Sequence, residues 1–296
     1  MTGLVGPAVR VGFSSCPNDT FMFHALVHGR VAAPVPGHTC EPVIEDIEAL
    51  NKRALRPEDS LLLTKLSVGA LGHVSDRYSV LDSGAALGRG CGPIVVCRAD
   101  SPRVRSLEAL AGARVAVPGL NTTACLLLRI FAPDTLQMVP MRFERVMPAV
   151  ASGAVDAGLI IHEARFTFKT LGLEAVADLG QRWEEETALP LPLGVICVAR
   201  SVEDASAAGW SAALRASILY ARRHPHVSAG YVRRLAQEMD PEVIRRHIAL
   251  YVNDDSLALG SAGRAAIEEL LLRGRTAGWI PASGGSPWRR PAGPSM

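Results

Sequence analysis

Gly158-Leu-Ile-Ile-His162-Glu163 is the stretch on which the fold reading turns. A short apolar run bounded by glycine and polar residues suits a buried strand of a parallel sheet. Open α/β folds bind ligands at the ends of such strands. His162 would then stand at the lip of a crevice, carrying a group that can take or give a proton near neutral pH. Eight histidines are scattered along the chain, so this segment alone reads better as a core or surface histidine satisfied by a neighbouring carbonyl. Three other segments, each with polar groups at the same kind of strand end, tip the reading toward a site.

The first runs from Val9 to Phe13 as a strand and breaks at Ser14-Ser-Cys-Pro-Asn18-Asp19. A helix from Thr20 to His28 follows, closed by Gly29. Asn18 or Asp19 is expected to cap that helix, with Gly29 at its C′ position. Backbone N–H groups at a helix start attract anions and polar ligands, which makes Asn18 and Asp19 candidate substrate-binding residues, although capping alone would account for both. The second segment is Ser60-Leu-Leu-Leu-Thr64, a strand leading into Lys65-Leu66-Ser67 and a short helix that stops by Gly72. Lysine and serine directly after a buried strand can hold a carboxylate; a solvated lysine and a capping serine would leave the same sequence. The third is the strand Arg114 to Val117, then Pro118-Gly-Leu-Asn-Thr122-Thr123 and a helix to about Phe131. Thr122 and Thr123 can donate hydrogen bonds to a carboxylate, helped by the helix dipole.

The chain of 296 residues suits two domains of ordinary size. With 48% hydrophobic and 20% charged residues it reads as a soluble globular protein. A net charge of +2 without a dense basic stripe argues against nucleic acid as partner. Met1 to Pro7 lacks a positive segment followed by an apolar one, so a cytoplasmic location is expected. No apolar run reaches the roughly 18 residues a membrane span needs. The six cysteines are dispersed, with no Cys-x-x-Cys pair, and read as reduced thiols rather than metal ligands. Cys16 and Cys91 lie in loops near the expected crevice, where a reactive thiol is the lesser reading.

Gly84-Ala-Ala-Leu-Gly88-Arg-Gly90-Cys-Gly92-Pro93 precedes a strand, so it is not a dinucleotide fingerprint and reads as a flexible connection or hinge. A second Pro-rich connection, Leu189-Pro-Leu-Pro-Leu-Gly194, feeds the strand Val195 to Ala199. Together they bracket a block, giving an inserted smaller α/β domain at 93–194 and a discontinuous larger one at 1–92 plus 195–280. Beyond Arg200 the pattern is helical. The residues 281–296 are rich in Pro, Gly and Ser and are expected to be a disordered tail.

Five motifs, in order, carry a resemblance: Ser14-Ser-Cys-Pro-Asn-Asp-Thr-Phe-Met-Phe-His-Ala, Thr64-Lys-Leu-Ser67, Gly90-Cys-Gly-Pro93, Asn121-Thr-Thr-Ala124 and Gly158-Leu-Ile-Ile-His-Glu163. The chain up to about residue 280 resembles the 1,4-dihydroxy-6-naphthoate synthases of the futalosine route to menaquinone. Where this chain has Ser15, that family often has proline. The resemblance implies an α/β, two-domain, type II periplasmic-binding-protein-like fold with the active site in the interdomain cleft. It also implies a lyase that splits cyclic dehypoxanthinyl futalosine into 1,4-dihydroxy-6-naphthoate and dihydroxyacetone with no cofactor and no metal. His162 matches the family's general base, and Lys65-Leu66-Ser67 and Thr122-Thr123 match its substrate-binding segments. A chorismate dehydratase of the same pathway, or a non-catalytic carboxylate-binding protein, would share the architecture. A Gly-Asp type ending is expected of the former where His162-Glu163 stands, and a fold alone does not separate enzyme from binder.

Overall fold

The computed structural model describes residues 8–34, 38–101, 103–237 and 240–289. Eleven strands form two sheets among them. The first sheet is built around β3 (Leu63–Ser67), all five of whose residues are buried. On one side β3 pairs in parallel with β1 (Ala8–Phe13), which pairs in parallel with β2 (Thr39–Ile44). On the other side it pairs antiparallel with β11 (Leu191–Ala199), which also carries β4 (Tyr78–Val80) and β5 (Ala86–Gly88). The second sheet has the order β10-β6-β9-β7-β8. Here β6 is Ile94–Arg98, β7 Arg114–Val117, β8 Gln137–Pro140, β9 Ala157–Ile160 and β10 Leu173–Asp178. β9 is thus a buried central strand, as its apolar run suggested, but its neighbourhood is mixed: parallel to β7 and antiparallel to β6.

The chain leaves the first sheet after β5 and returns at β11, so the return precedes the expected position at Gly194. The glycine-rich stretch is not a loose hinge. Ala86–Gly88 is a strand on β11, and the Gly84 N–H donates to Ser256 O at 2.8 Å. At the crossing itself Gly92 and Gly180 meet backbone to backbone: a Cβ on Gly180 would lie 2.6 Å from Gly92 Cα. Arg165 secures the same place, donating to Gly92 O and pairing with Asp178 at 3.3 Å.

The largest apolar cluster is shared by both sheets. It joins Leu66 and Val195 of the first, and Leu71 of the helix Val68–Val74, to Val95, Val115 and Leu159 of the second, through Leu127 and Leu128 of the helix Thr123–Phe131. Separate clusters cover the far faces: Phe13, Phe23, Trp210 and Leu214 on the first sheet, Val96, Val146 and Val150 on the second. Each sheet is therefore sandwiched between layers, as buried strands require.

The segment 281–289 corrects the expected disordered tail. Pro287 O accepts from Val80 N at 2.9 Å, and Trp288 packs on the shared core beneath Arg264. Arg289 donates to Ser79 Oγ, Ala199 O, Val202 O and Asp204 Oδ1 at 2.6–3.0 Å. Composition misled here because one aromatic and one guanidinium supply burial and hydrogen bonds that the Pro-Gly-Ser background lacks. Residues 290–296 of that tail, and Met1–Pro7, lie outside the described residues. Arg289→Ala, which leaves Val202 O without this donor and Asp204 without its ion pair, is expected to cost about 1–3 kcal/mol, read as a lowered urea midpoint with activity intact.

Candidate active site

Four strand ends converge on one cavity. Its volume is about 70 Å³, and its lining includes Asn18, Lys65, Ser67, Thr122, Thr123 and His162. Cys91, Ile161, Leu193 and Tyr251 complete much of the apolar wall.

Asn18 and Asp19 reach the site differently from what the sequence suggested. The helix begins earlier, at Pro17, with Cys16 as its N-cap and no side-chain cap (Pro17–Val27). Proline suits that first position because its missing N–H would have no partner there. Asp19 therefore sits in the first turn and turns back: its Oδ2 accepts from Ser14 N at 3.1 Å and Ser14 Oγ at 2.6 Å. Its Oδ1 accepts from Asn18 Nδ2 at 2.9 Å and from the Lys65 ammonium. Asp19 is 0% exposed and Lys65 5%, so the pair is buried and Asp19 is a support behind the cavity wall.

Along β3 side chains alternate. Lys65 and Ser67 face the cavity, whereas Leu66 points into the shared core at 0% exposure. Leu66 is thus a core residue and not part of the lining. Ser67 opens the helix Val68–Val74 without a side-chain cap bond. Its hydroxyl instead accepts from Asn51 Nδ2 at 3.0 Å, while its N–H donates to Asn51 Oδ1 at 2.9 Å. The Ser67 hydroxyl proton is left to face a ligand.

Both threonine hydroxyls line the cavity but are already engaged. Thr122 Oγ1 accepts from Cys125 N at 3.1 Å as the N-cap and donates to Gly119 O at 2.9 Å. Thr123 Oγ1 accepts from Gly69 N at 3.2 Å and donates to Leu193 O at 2.6 Å. Each hydroxyl has one hydrogen, so neither threonine has a side-chain donor left. What the helix start offers is the backbone N–H of Thr123 and Ala124, which have no acceptor within the helix.

His162 follows β9 by one residue and takes φ +59°, in the left-handed region. Only one other non-glycine residue, Ala188, does so among the described residues. A side chain there costs on the order of 1–2 kcal/mol, and such strain clusters at functional sites. Phe143 packs against the ring edge-on, with centroids 5.1 Å apart. Burial, then the Lys65 ammonium, lower the His162 pKa from 6.5 to about 4, with Asp19 opposing. The ring is therefore neutral at pH 7 and can accept a proton.

Neither cysteine near the cavity is poised to react. Burial raises the pKa of Cys16 above the ordinary thiol range and that of Cys91 to about 12, so both stay protonated. Two residues missed in the sequence join the site, Tyr251 and His247. They share the buried face of the helix Pro241–Tyr251 with Ile244. Tyr251 Oη donates to Cys91 O at 3.1 Å. A polar His247 inside an apolar helical stripe was the available signal.

The family model described as menaquinone biosynthesis matches residues 9–276. The chain belongs to that family. A 1,4-dihydroxy-6-naphthoate synthase of Thermus thermophilus is 50% identical over 271 residues, 92% of this chain and 95% of the relative. One of Streptomyces coelicolor is 45% identical over 282 residues, 93% and 96%. The resemblance carried by the five motifs is thereby borne out. In structure, a protein of Archaeoglobus fulgidus has TM-score 0.84 at 35% identity, covering 92% of this chain and 98% of its own. The alkanesulfonate-binding protein of Xanthomonas axonopodis pv. citri has TM-score 0.66 at 15% identity, covering 93% and 94%. That likeness extends to the fold alone and bears out the periplasmic-binding-protein-like architecture. No helix among the described residues is long and apolar enough to cross a membrane.

The strain at residue 162 yields a stability test. Glycine adopts positive φ freely, so His162→Gly is expected to be more stable than His162→Ala by about 1 kcal/mol. Equal denaturation midpoints for the two variants would contradict the left-handed backbone.

Proposed function

We propose that this member of the family is a carbon–carbon lyase that converts cyclic dehypoxanthinyl futalosine to 1,4-dihydroxy-6-naphthoate and dihydroxyacetone. The names of its relatives support the reaction. The observation that carries it is the imidazole at position 162, held in left-handed backbone and lining the same cavity as the helix start at Thr123 and Ala124, with its pKa lowered by burial.

The reaction needs a proton removed and a carbon–carbon bond broken, with the electrons received by the ring system that becomes the aromatic diol. His162 serves as the general base. At neutral pH its unprotonated form dominates, and a positioned base contributes roughly 10²–10⁴-fold. The substrate carboxylate rests on the backbone N–H groups of Thr123 and Ala124, where the helix dipole favours negative charge. The Ser67 hydroxyl donates from the neighbouring strand end. Lys65 adds positive potential, tempered by its pairing with Asp19. Thr122 and Thr123 act by holding this loop in place. A cavity walled by Ile161, Leu193 and Tyr251 keeps water away and strengthens each of these interactions.

Purified protein incubated with the cyclic substrate is expected to release the naphthoate and dihydroxyacetone, followed by mass. Recovery of unchanged substrate would mark a binding protein instead. His162→Ala should bind the naphthoate near normally and lose about 10²–10⁴-fold in kcat; near-normal turnover would remove the assigned base. The acid limb of kcat/KM reports the base in the free enzyme. Its lowered pKa means activity persists below pH 6.5 and is lost only as pH falls toward about 4. A limb at 6.5 would count against a base whose pKa burial has lowered.

A further inference from the structure

His247 takes no part in the scheme above, yet it touches both sides of the cleft. It is 1% exposed. Its Nε2 lies 3.1 Å from Asn18 Oδ1, its Nδ1 3.8 Å from Glu163 Oε2, and its ring centroid 6.2 Å from that of His162.

Hydrogen-bond bookkeeping fixes where its proton sits. Asp19 Oδ1 receives the Lys65 ammonium and also the Asn18 amide at 2.9 Å. Only the amide nitrogen can face that carboxylate, since an oxygen there would oppose another acceptor. The amide oxygen therefore faces His247. An oxygen cannot donate, so His247 Nε2 carries the hydrogen. Burial, followed by the charges of His162 and Lys65, pushes the His247 pKa well below 6.5, which favours the neutral ring. The Asn18 nitrogen has two hydrogens. One is given to Asp19, and Asn18 lines the cavity, where the other remains available.

We propose that His247 is a positioning residue for the cleft: its Nε2–H holds the Asn18 amide in one orientation, so that the second Nδ2 hydrogen binds a carbonyl or hydroxyl oxygen of the substrate. The inference rests on the lyase reading for the identity of that substrate. Without the imidazole, the amide oxygen is buried with no donor and the side chain turns to find one.

The test compares wild type, His247→Gln, His247→Leu, Asn18→Ala and the double variant His247→Leu/Asn18→Ala. Glutamine keeps an N–H within reach and should stay within about threefold of wild-type kcat/KM. His247→Leu and Asn18→Ala should each lose about 10- to 100-fold. Because one acts through the other, the double variant should be no worse than Asn18→Ala alone. Losses that multiply in the double variant, or a glutamine variant as poor as the leucine one at an unchanged melting temperature, would overturn the proposal. A second readout needs neither turnover nor a folded leucine variant. Long-range 1H–15N spectra of the unliganded protein should show His247 as the Nε2–H tautomer, assigned by its loss in His247→Gln; an Nδ1–H tautomer overturns the proposal. Absence of naphthoate from wild type, with the Nε2–H tautomer present, would count against the lyase reading and leave the orientation of Asn18 supported.

Discussion

The ion pair of Lys65 with Asp19 is the constraint around which the site is built. Taking both charges out of water is costly and is offset only when the remaining lone pairs and protons are also satisfied. Asp19 meets that condition with Ser14 N, Ser14 Oγ, Asn18 Nδ2 and Lys65 Nζ. The need for all these donors dictates local structure. The loop after β1 must double back on the first turn of its helix, and β3 must bring its lysine beneath that turn. Asn18 is then oriented as a consequence, and through it His247. The same pair moderates the cleft electrically. Lys65 helps keep His162 unprotonated, while Asp19 opposes the effect.

What could be read in the sequence was the placement of strand ends, and what could not was the use each polar group finds once packed. The run 158–161 located β9 and put His162 beyond it, because a short aliphatic stretch has few alternatives to a buried strand. Its left-handed φ was invisible, since nothing about histidine announces it. The two threonines were correctly placed at a helix start. Their hydroxyls, however, are consumed by Gly119 O and Leu193 O, and Leu193 lies on a strand 70 residues away in sequence. Leu66 fell to the other side of its strand by simple alternation, which the motif Lys-Leu-Ser should have suggested. His247 and Tyr251 went unread because their partners, Asn18, Glu163 and Cys91, come from distant parts of the chain.

A fold shared with sulfonate-binding proteins says little about chemistry, since one scaffold hosts many functions. The case for catalysis rests on the site. A binder needs donors for an anion, and under the proposed reading Ser67 and backbone amides supply them. It has no need of an unprotonated imidazole in strained backbone at the opposite wall. That group raises the energy of the folded chain and adds nothing to holding an acid, and proton transfer is the use we propose for it.

The apolar cluster that runs through both sheets has a consequence for how the protein comes apart. Lobes joined only by crossover strands could melt one after the other. Here Leu127 and Leu128, on a helix of the inserted block, pack in the same interior as Leu66, Leu71 and Ile267 of the surrounding one. Removing the inserted block would strip neighbours from the other lobe's interior, so neither half has a complete core of its own. By topology the protein is two lobes; inside, they share one apolar cluster while each keeps a second on its far face.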